Sequence, residues 1–170
     1  MDIEDTLLMI PGPVKVAPRV LRAMSKPMIS HRSGEFGAIY SECAELLKEF
    51  FQTKNQIAIM TGSGTLGMDA AVAGIIGHED KIVTISNGKF GERFTEIGER
   101  YGKCVPVRFD WGMPFDLDRV EAALEEGAKA VAMVHNEASV GLTNPAKEVG
   151  RLAKKYDAAF IVDGISSIGG

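Results

Sequence analysis

Short apolar runs alternate with helical stretches through most of this chain, and that alternation restricts the fold more than any other feature. Residues 56–60, 81–86, 104–109, 130–135 and 158–162 each read as a strand. Most of these runs are continuously apolar, which marks strands buried on both faces of a parallel sheet. Pro106 cannot donate to a ladder, so the 104–109 strand belongs at an edge. Between the runs lie helical segments at 68–76, 92–101, 117–125 and 146–156. Asp116 starts one of them, and Pro145 stands before another. The 68–76 segment is small and apolar, so it reads as a buried helix. Together these patterns predict an α/β protein, a mostly parallel sheet with flanking helices. At 170 residues the chain is long enough for one sizeable core.

Residues 1–52 read differently, as an N-terminal arm and helices ahead of a domain at 53–170. Pro11-Gly12-Pro13 fixes a turn that no helix can cross. Residues 17–24 form a short helix with Pro18 in its first turn. Phe36, Ile39, Tyr40, Cys43, Leu46, Leu47 and Phe50 recur at helical spacing and predict an amphipathic helix over 35–51. The net charge of −4 and the lack of a basic run argue against a nucleic-acid partner. No stretch is long and apolar enough for a membrane span. Residues 1–5 lack the positive start of a secretory signal. Cys43 and Cys104 have neither metal nor redox spacing, and read as reduced core thiols of a cytoplasmic protein.

The segment Thr61-Gly62-Ser63-Gly64-Thr65-Leu66-Gly67 joins the first strand to the first helix of this domain. A glycine-rich turn opening a helix bares backbone N–H groups at the positive end of the helix dipole, and Ser63 and Thr65 add hydroxyls. Phosphate binding suits that chemistry; a plain N-cap is the alternative. The spacing also fits G-x-G-x-x-G, which calls for an acid about 20 residues on, at the end of the next strand. That strand ends in Ser86-Asn87-Gly88 instead, which weakens a dinucleotide reading. Residues 63–65, 87–90, 136–139 and 163–167 each follow an expected strand end, so four polar or aromatic clusters converge on one rim.

In combination and order, Pro11-Gly12-Pro13, His31-Arg32, Thr61 to Thr65, Asn87-Gly88-Lys89-Phe90-Gly91-Glu92-Arg93, His135-Asn136-Glu137 and Val162 to Ser167 resemble the class V, fold-type I aminotransferases that use pyridoxal phosphate. The alanine–glyoxylate and serine–glyoxylate branch is the most similar. The resemblance implies that this is the N-terminal part of the large domain. It implies that Ser63, Gly64 and Thr65 hold the cofactor phosphate and that Phe90 stacks on one face of the pyridine ring. Ile165 then packs on the other face, and Ser139 stands near the ring hydroxyl. Asp163 is the catalytic carboxylate that keeps the ring nitrogen protonated. Gly12 faces the substrate. His135 reads as a satisfied core histidine. Ala138 and Val140 depart from the family, which carries hydroxyl residues there, and imply a changed loop or substrate preference.

The same resemblance puts the Schiff-base lysine after a further strand, past Gly170, and none of the lysines present matches it. Of the family's seven strands the chain is expected to supply the first five, with the small C-terminal domain and the substrate-carboxylate arginine missing. The expected activity is amino-group transfer from alanine, serine or aspartate to a 2-oxo acid such as glyoxylate or pyruvate, by a homodimer. The alternatives are an inactive fragment that binds phosphate ligands or a partner chain, and a dinucleotide-dependent oxidoreductase.

Overall fold

The computed structural model describes residues 7–169. They divide into two compact units, one ending at Thr61 and the other starting at Gly62.

The first unit holds α1 (Pro18–Met24) and α2 (Gly34–Phe51). Pro18 sits at the start of α1, where a missing N–H costs nothing. Ser33 caps α2 by accepting from Phe36 N at 3.2 Å, and Gln52 ends it in the left-handed conformation. The phenol oxygen of Tyr40 accepts from Ile59 N at 3.4 Å, which ties the 53–61 segment back to α2. Two expectations fail here. No residue of α2 is fully buried, and Cys43 is exposed rather than a core thiol. Residues 56–60 form no strand. A ladder needs a neighbour for its N–H and C=O groups, and among the described residues this run has none.

The second unit opens with α3 (Gly64–Ile75) and continues β1 (Lys81–Ser86), α4 (Lys89–Tyr101), β2 (Lys103–Arg108), α5 (Leu117–Glu125), β3 (Ala130–Val134), β4 (Asn136–Glu137), β5 (Leu142–Thr143), α6 (Ala146–Lys155) and β6 (Ala159–Asp163). Strands β2, β1, β3 and β6 lie side by side in that order, all parallel. The sheet thus has four of the expected five strands. β2 occupies an edge, as Pro106 requires.

Strand residues alternate between two helix layers. Val83, Ile85, Val131 and Met133 pack with Val120 and Leu124 of α5 and Val149 and Ala153 of α6. Ile82, Ala130, Ala132 and Val134 pack with Met68 and Val72 of α3 and Phe94 and Ile97 of α4. Fully burying each such large side chain is worth about 1.5–3 kcal/mol, which is what pins the helices to the sheet. α3 is less buried than its composition predicts. Only Met68 and Val72 are fully enclosed, while Ala73 and Gly74 face outward. The last strand is also partly open: as the edge of this sheet, β6 leaves Val162 exposed.

Candidate active site

Parallel strands place their carboxyl ends along one rim, and the loops that leave β1, β3 and β6 meet there. α4 begins directly after β1, and Gly88 at its N-cap has no side chain with which to satisfy the first amides. Glu137 supplies the cap from the loop after β3. Its carboxylate is wholly buried. Oε2 accepts from Phe90 N at 3.1 Å and Gly91 N at 2.9 Å. Oε1 accepts from the Ser139 hydroxyl at 2.6 Å and from Ser139 N at 3.3 Å. An anion at a helix N-terminus is doubly favoured, by the N–H groups and by the dipole.

The approach is so close that a Cβ at Gly88 would lie 2.4 Å from Glu137 Cγ, so only glycine fits. Ser139 Oγ also accepts from Lys89 N at 3.0 Å. Glu137 therefore fixes Phe90 and Ser139 against one another. Behind this loop, Asn87 and Asn144 exchange amide hydrogen bonds of 2.8 and 3.2 Å, and Asn144 Nδ2 also donates to Val134 O. The small β4–β5 hairpin, which sequence periodicity does not reveal, is held by these buried amides.

The N-terminus of α3 is different. Ser63 occupies its N-cap but makes no capping bond. Among the described residues the amides of Gly64 and Thr65 have no protein acceptor either; the first bonds of the helix run from Leu66 N and Gly67 N to Ser63 O. This end does not follow a strand, contrary to expectation, because residues 56–60 form none. It is nevertheless close to the strand rim. A Cβ at Gly64 would sit 2.6 Å from Ile165 Cδ1, so the loop after β6 touches the start of α3. Thr65 Oγ1 accepts from Arg93 Nη1 at 2.9 Å, and the Arg93 guanidinium lies 5.3 Å from the centre of the Phe90 ring. An open groove of about 580 Å³ lies along this end, lined by Ser63, Thr65, Asp69, Arg93, Glu96 and Arg100 among others. There the Tyr101 hydroxyl donates to Asp69 at 2.9 Å, and that bond, followed by burial, raises the phenol above its ordinary range.

Asp163 ends β6, opposite Val134 of β3. Its Oδ1 accepts from Ile165 N at 2.9 Å, a local turn, and Oδ2 has no protein partner among the described residues. His135 is half-buried and satisfied, with Nδ1 2.9 Å from Ser167 Oγ.

The described geometry thus links Asp163, Ile165, Gly64, Thr65, Phe90 and Ser139 through successive contacts within one unit. Gly12 lies in the other unit, in an exposed bend. Sequence reasoning passed over two members of this chain of contacts, Glu137 and Arg93. A helix whose N-cap is glycine needs an acceptor from elsewhere, and that signal pointed to a residue such as Glu137.

The chain matches the profile of the family described as Aminotransferase class-V over residues 15–170. It is 43% identical to an uncharacterized aminotransferase of Methanocaldococcus jannaschii, over all of this chain and 45% of that protein. It is 42% identical to the (S)-ureidoglycine–glyoxylate transaminase of Bacillus subtilis, over 96% of this chain and 40% of that one. The crystal structure of the Bacillus subtilis ureidoglycine–glyoxylate aminotransferase superposes with a TM-score of 0.90 over 95% of this chain and 43% of that one. An alanine–glyoxylate aminotransferase from Nostoc superposes with a TM-score of 0.91 at 32% identity, over 100% of this chain and 46% of that one. The chain spans less than half the length of these relatives, and what it matches is the N-terminal part of these fold-type I enzymes.

Proposed function

Because the chain belongs to the class-V aminotransferases, we propose that it forms part of a pyridoxal-phosphate enzyme that moves an amino group between a small amino acid and a 2-oxo acid. Glyoxylate is the proposed acceptor, since the ureidoglycine and alanine enzymes it resembles both carry glyoxylate in their names. Alanine, serine or aspartate is the proposed donor.

One observation carries this reading: the Gly64 and Thr65 amides and the Ser63 hydroxyl, which have no protein acceptor among the described residues, adjoin both the Asp163–Ile165 loop and, through Thr65 and Arg93, the Phe90 ring. The residues present fit the cofactor. A phosphate has only acceptors to offer, and the Gly64 and Thr65 amides with the Ser63 hydroxyl are donors without protein acceptors among the described residues. Phe90 and Ile165 are the apolar side chains for the two ring faces. Ser139 is the hydroxyl for the ring oxygen, already oriented by Glu137 and Lys89 N. The Asp163 carboxylate, with Oδ2 lacking a protein partner among the described residues, holds a proton on the ring nitrogen by charge and hydrogen bonding. When bound, pyridoxal phosphate supplies an electron sink for the carbanion formed at the amino-acid carbon. No lysine of this chain is assigned the covalent attachment.

Gly12 is the proposed backbone contact for substrate. A homodimer in the cytoplasm is the proposed assembly and place. The first unit exposes Leu7, Met9, Met24 and Met28, apolar side chains that a second copy would cover. Among the described residues no helix is long and apolar enough to cross a membrane.

The test is amino transfer by the complete enzyme, with each donor paired in turn with glyoxylate and pyruvate, in the presence and absence of pyridoxal phosphate. Cofactor-dependent conversion of glyoxylate to glycine is expected. Binding of a nicotinamide nucleotide and not pyridoxal phosphate would refute the proposal.

A further inference from the structure

The direction of one hydrogen bond says more about the phosphate end of the site. Arginine carries five N–H donors and no acceptor, so in the Arg93–Thr65 contact the guanidinium donates and Thr65 Oγ1 accepts. The hydroxyl hydrogen of Thr65 is thereby directed away from Arg93, and it has no acceptor among the described residues. Such a hydroxyl is set as a donor, polarised further by the charged group behind it. A phosphate dianion can only accept. The order guanidinium, hydroxyl, phosphate oxygen is therefore a run of aligned donors, whereas a threonine free to rotate has no preferred sense.

Arg93 is suited to this by its surroundings. It is half-buried, on the same helix as Phe90 and one turn later. Its guanidinium lies over the Phe90 ring, which restricts where it can go. Among the described residues no carboxylate pairs with it. The two acids in the same groove are engaged elsewhere, Asp69 by the Tyr101 hydroxyl at 2.9 Å and Glu96 by Lys89 at 3.7 Å. The charge of Arg93 therefore stays uncompensated among the described residues, beside a helix N-terminus that also favours an anion.

We infer that Arg93 is the positioning residue of the phosphate site: it holds the Thr65 hydroxyl as a phosphate donor and couples that hydroxyl to the ring-stacking Phe90. This rests on the reading of the α3 N-terminus as the phosphate cradle.

The experiment compares binding of pyridoxal phosphate with binding of pyridoxal, the same ring without phosphate, to the full chain by equilibrium dialysis. The readout is the ratio of the two affinities, which partial unfolding leaves unchanged because it lowers both alike. Wild type should prefer pyridoxal phosphate. Arg93→Leu should lower that preference about tenfold, the scale of one charge-assisted hydrogen bond, with the loss falling mainly on pyridoxal phosphate rather than on pyridoxal. Arg93→Lys, a smaller perturbation should the leucine variant fold poorly, should fall between the two. Thr65→Val should also lower the preference, and its loss should not add to that of Arg93→Leu. An unchanged ratio in both Arg93 variants, or fully additive losses, overturns the inference while leaving the phosphate reading intact. A wild-type protein that does not distinguish the two ligands overturns that reading and the inference together.

Discussion

Replacing Glu137 tests how the rim is held together. The carboxylate is wholly buried, and its Oε2 accepts from the amides of half-buried Phe90 and buried Gly91. In Glu137→Ala, Phe90 N and Gly91 N lose the only acceptor they have among the described residues, and the Ser139 hydroxyl loses its own. Each buried donor left unsatisfied costs about 1–3 kcal/mol. Counting the two amides, and allowing for partial relaxation and water entry, the loss should be about 3–5 kcal/mol. That is a large share of the roughly 5–15 kcal/mol that stabilises a domain.

Glu137→Gln should be milder, at about 1–3 kcal/mol. Its amide can turn the NH₂ toward Ser139, whose hydroxyl has a lone pair with which to accept, so that the contacts opposed are the long ones from Ser139 N at 3.3 Å and Phe90 N at 3.4 Å. Urea unfolding followed by Trp111 fluorescence measures these losses. Trp111 is the only tryptophan and lies in the same unit. A companion variant sharpens the test. Gly88→Ala should destabilise wild type, because its Cβ would come within 2.4 Å of Glu137 Cγ, and should cost much less once Glu137 is alanine. A Glu137→Ala protein within about 0.5 kcal/mol of wild type would refute the capping argument, since that is the range of an ordinary surface substitution.

Asp163→Asn in the complete enzyme should retain the fold and cofactor but lose most transamination, because an amide cannot hold the ring nitrogen protonated; near-normal turnover at full cofactor loading would show Asp163 to be a turn residue only. Asp80 accepts from Lys129 Nζ and from Gly77 N, and those bonds, the lysine's first, hold its carboxyl below the ordinary range. The folded value being the lower one, the contribution is complete above the unfolded carboxylate range near pH 4 and is lost as pH falls through the folded value. The gap in urea midpoint between wild type and Asp80→Asn should therefore shrink from pH 7 to pH 3, and a gap that widens would reverse the sign. Burial raises the Cys104 thiol, while Cys43 is exposed; a thiol reagent at pH 7 should label Cys43 first, and equal rates would contradict the packing of Cys104 under α4.

Most of the second unit was legible because its signals are local. Continuous apolar runs gave β1, β3 and β6, and Pro106 placed β2 at an edge. Asp116 marked the start of α5, where its side chain accepts from Asp118 N. What failed depends on partners that local sequence does not contain. Residues 56–60 have the composition of a strand, but composition cannot supply a neighbouring ladder. The helix after Thr65 is apolar in composition, yet burial requires cover, and among the described residues Leu66, Ala73 and Gly74 stay exposed.

The rim divides the same way. Ser63, Thr65, Phe90, Ser139, Asp163 and Ile165 could be named because each stands in a motif. Glu137 stood in a motif too, but its role comes from the first turn of a helix whose Phe90 N lies 47 residues earlier in sequence, and only the fold brings the two together. The Arg93–Thr65 bond spans 28 residues and two helices, and no local pattern announces it.

The most direct measurement is a crystal structure of the complete protein with pyridoxal phosphate. The account predicts phosphate oxygens on the Gly64 and Thr65 amides, the Phe90 ring against the pyridine face, and an Asp163 oxygen within about 2.7–2.9 Å of the ring nitrogen. A cofactor seated away from the α3 N-terminus, or a ring nitrogen facing any group other than Asp163, would contradict it.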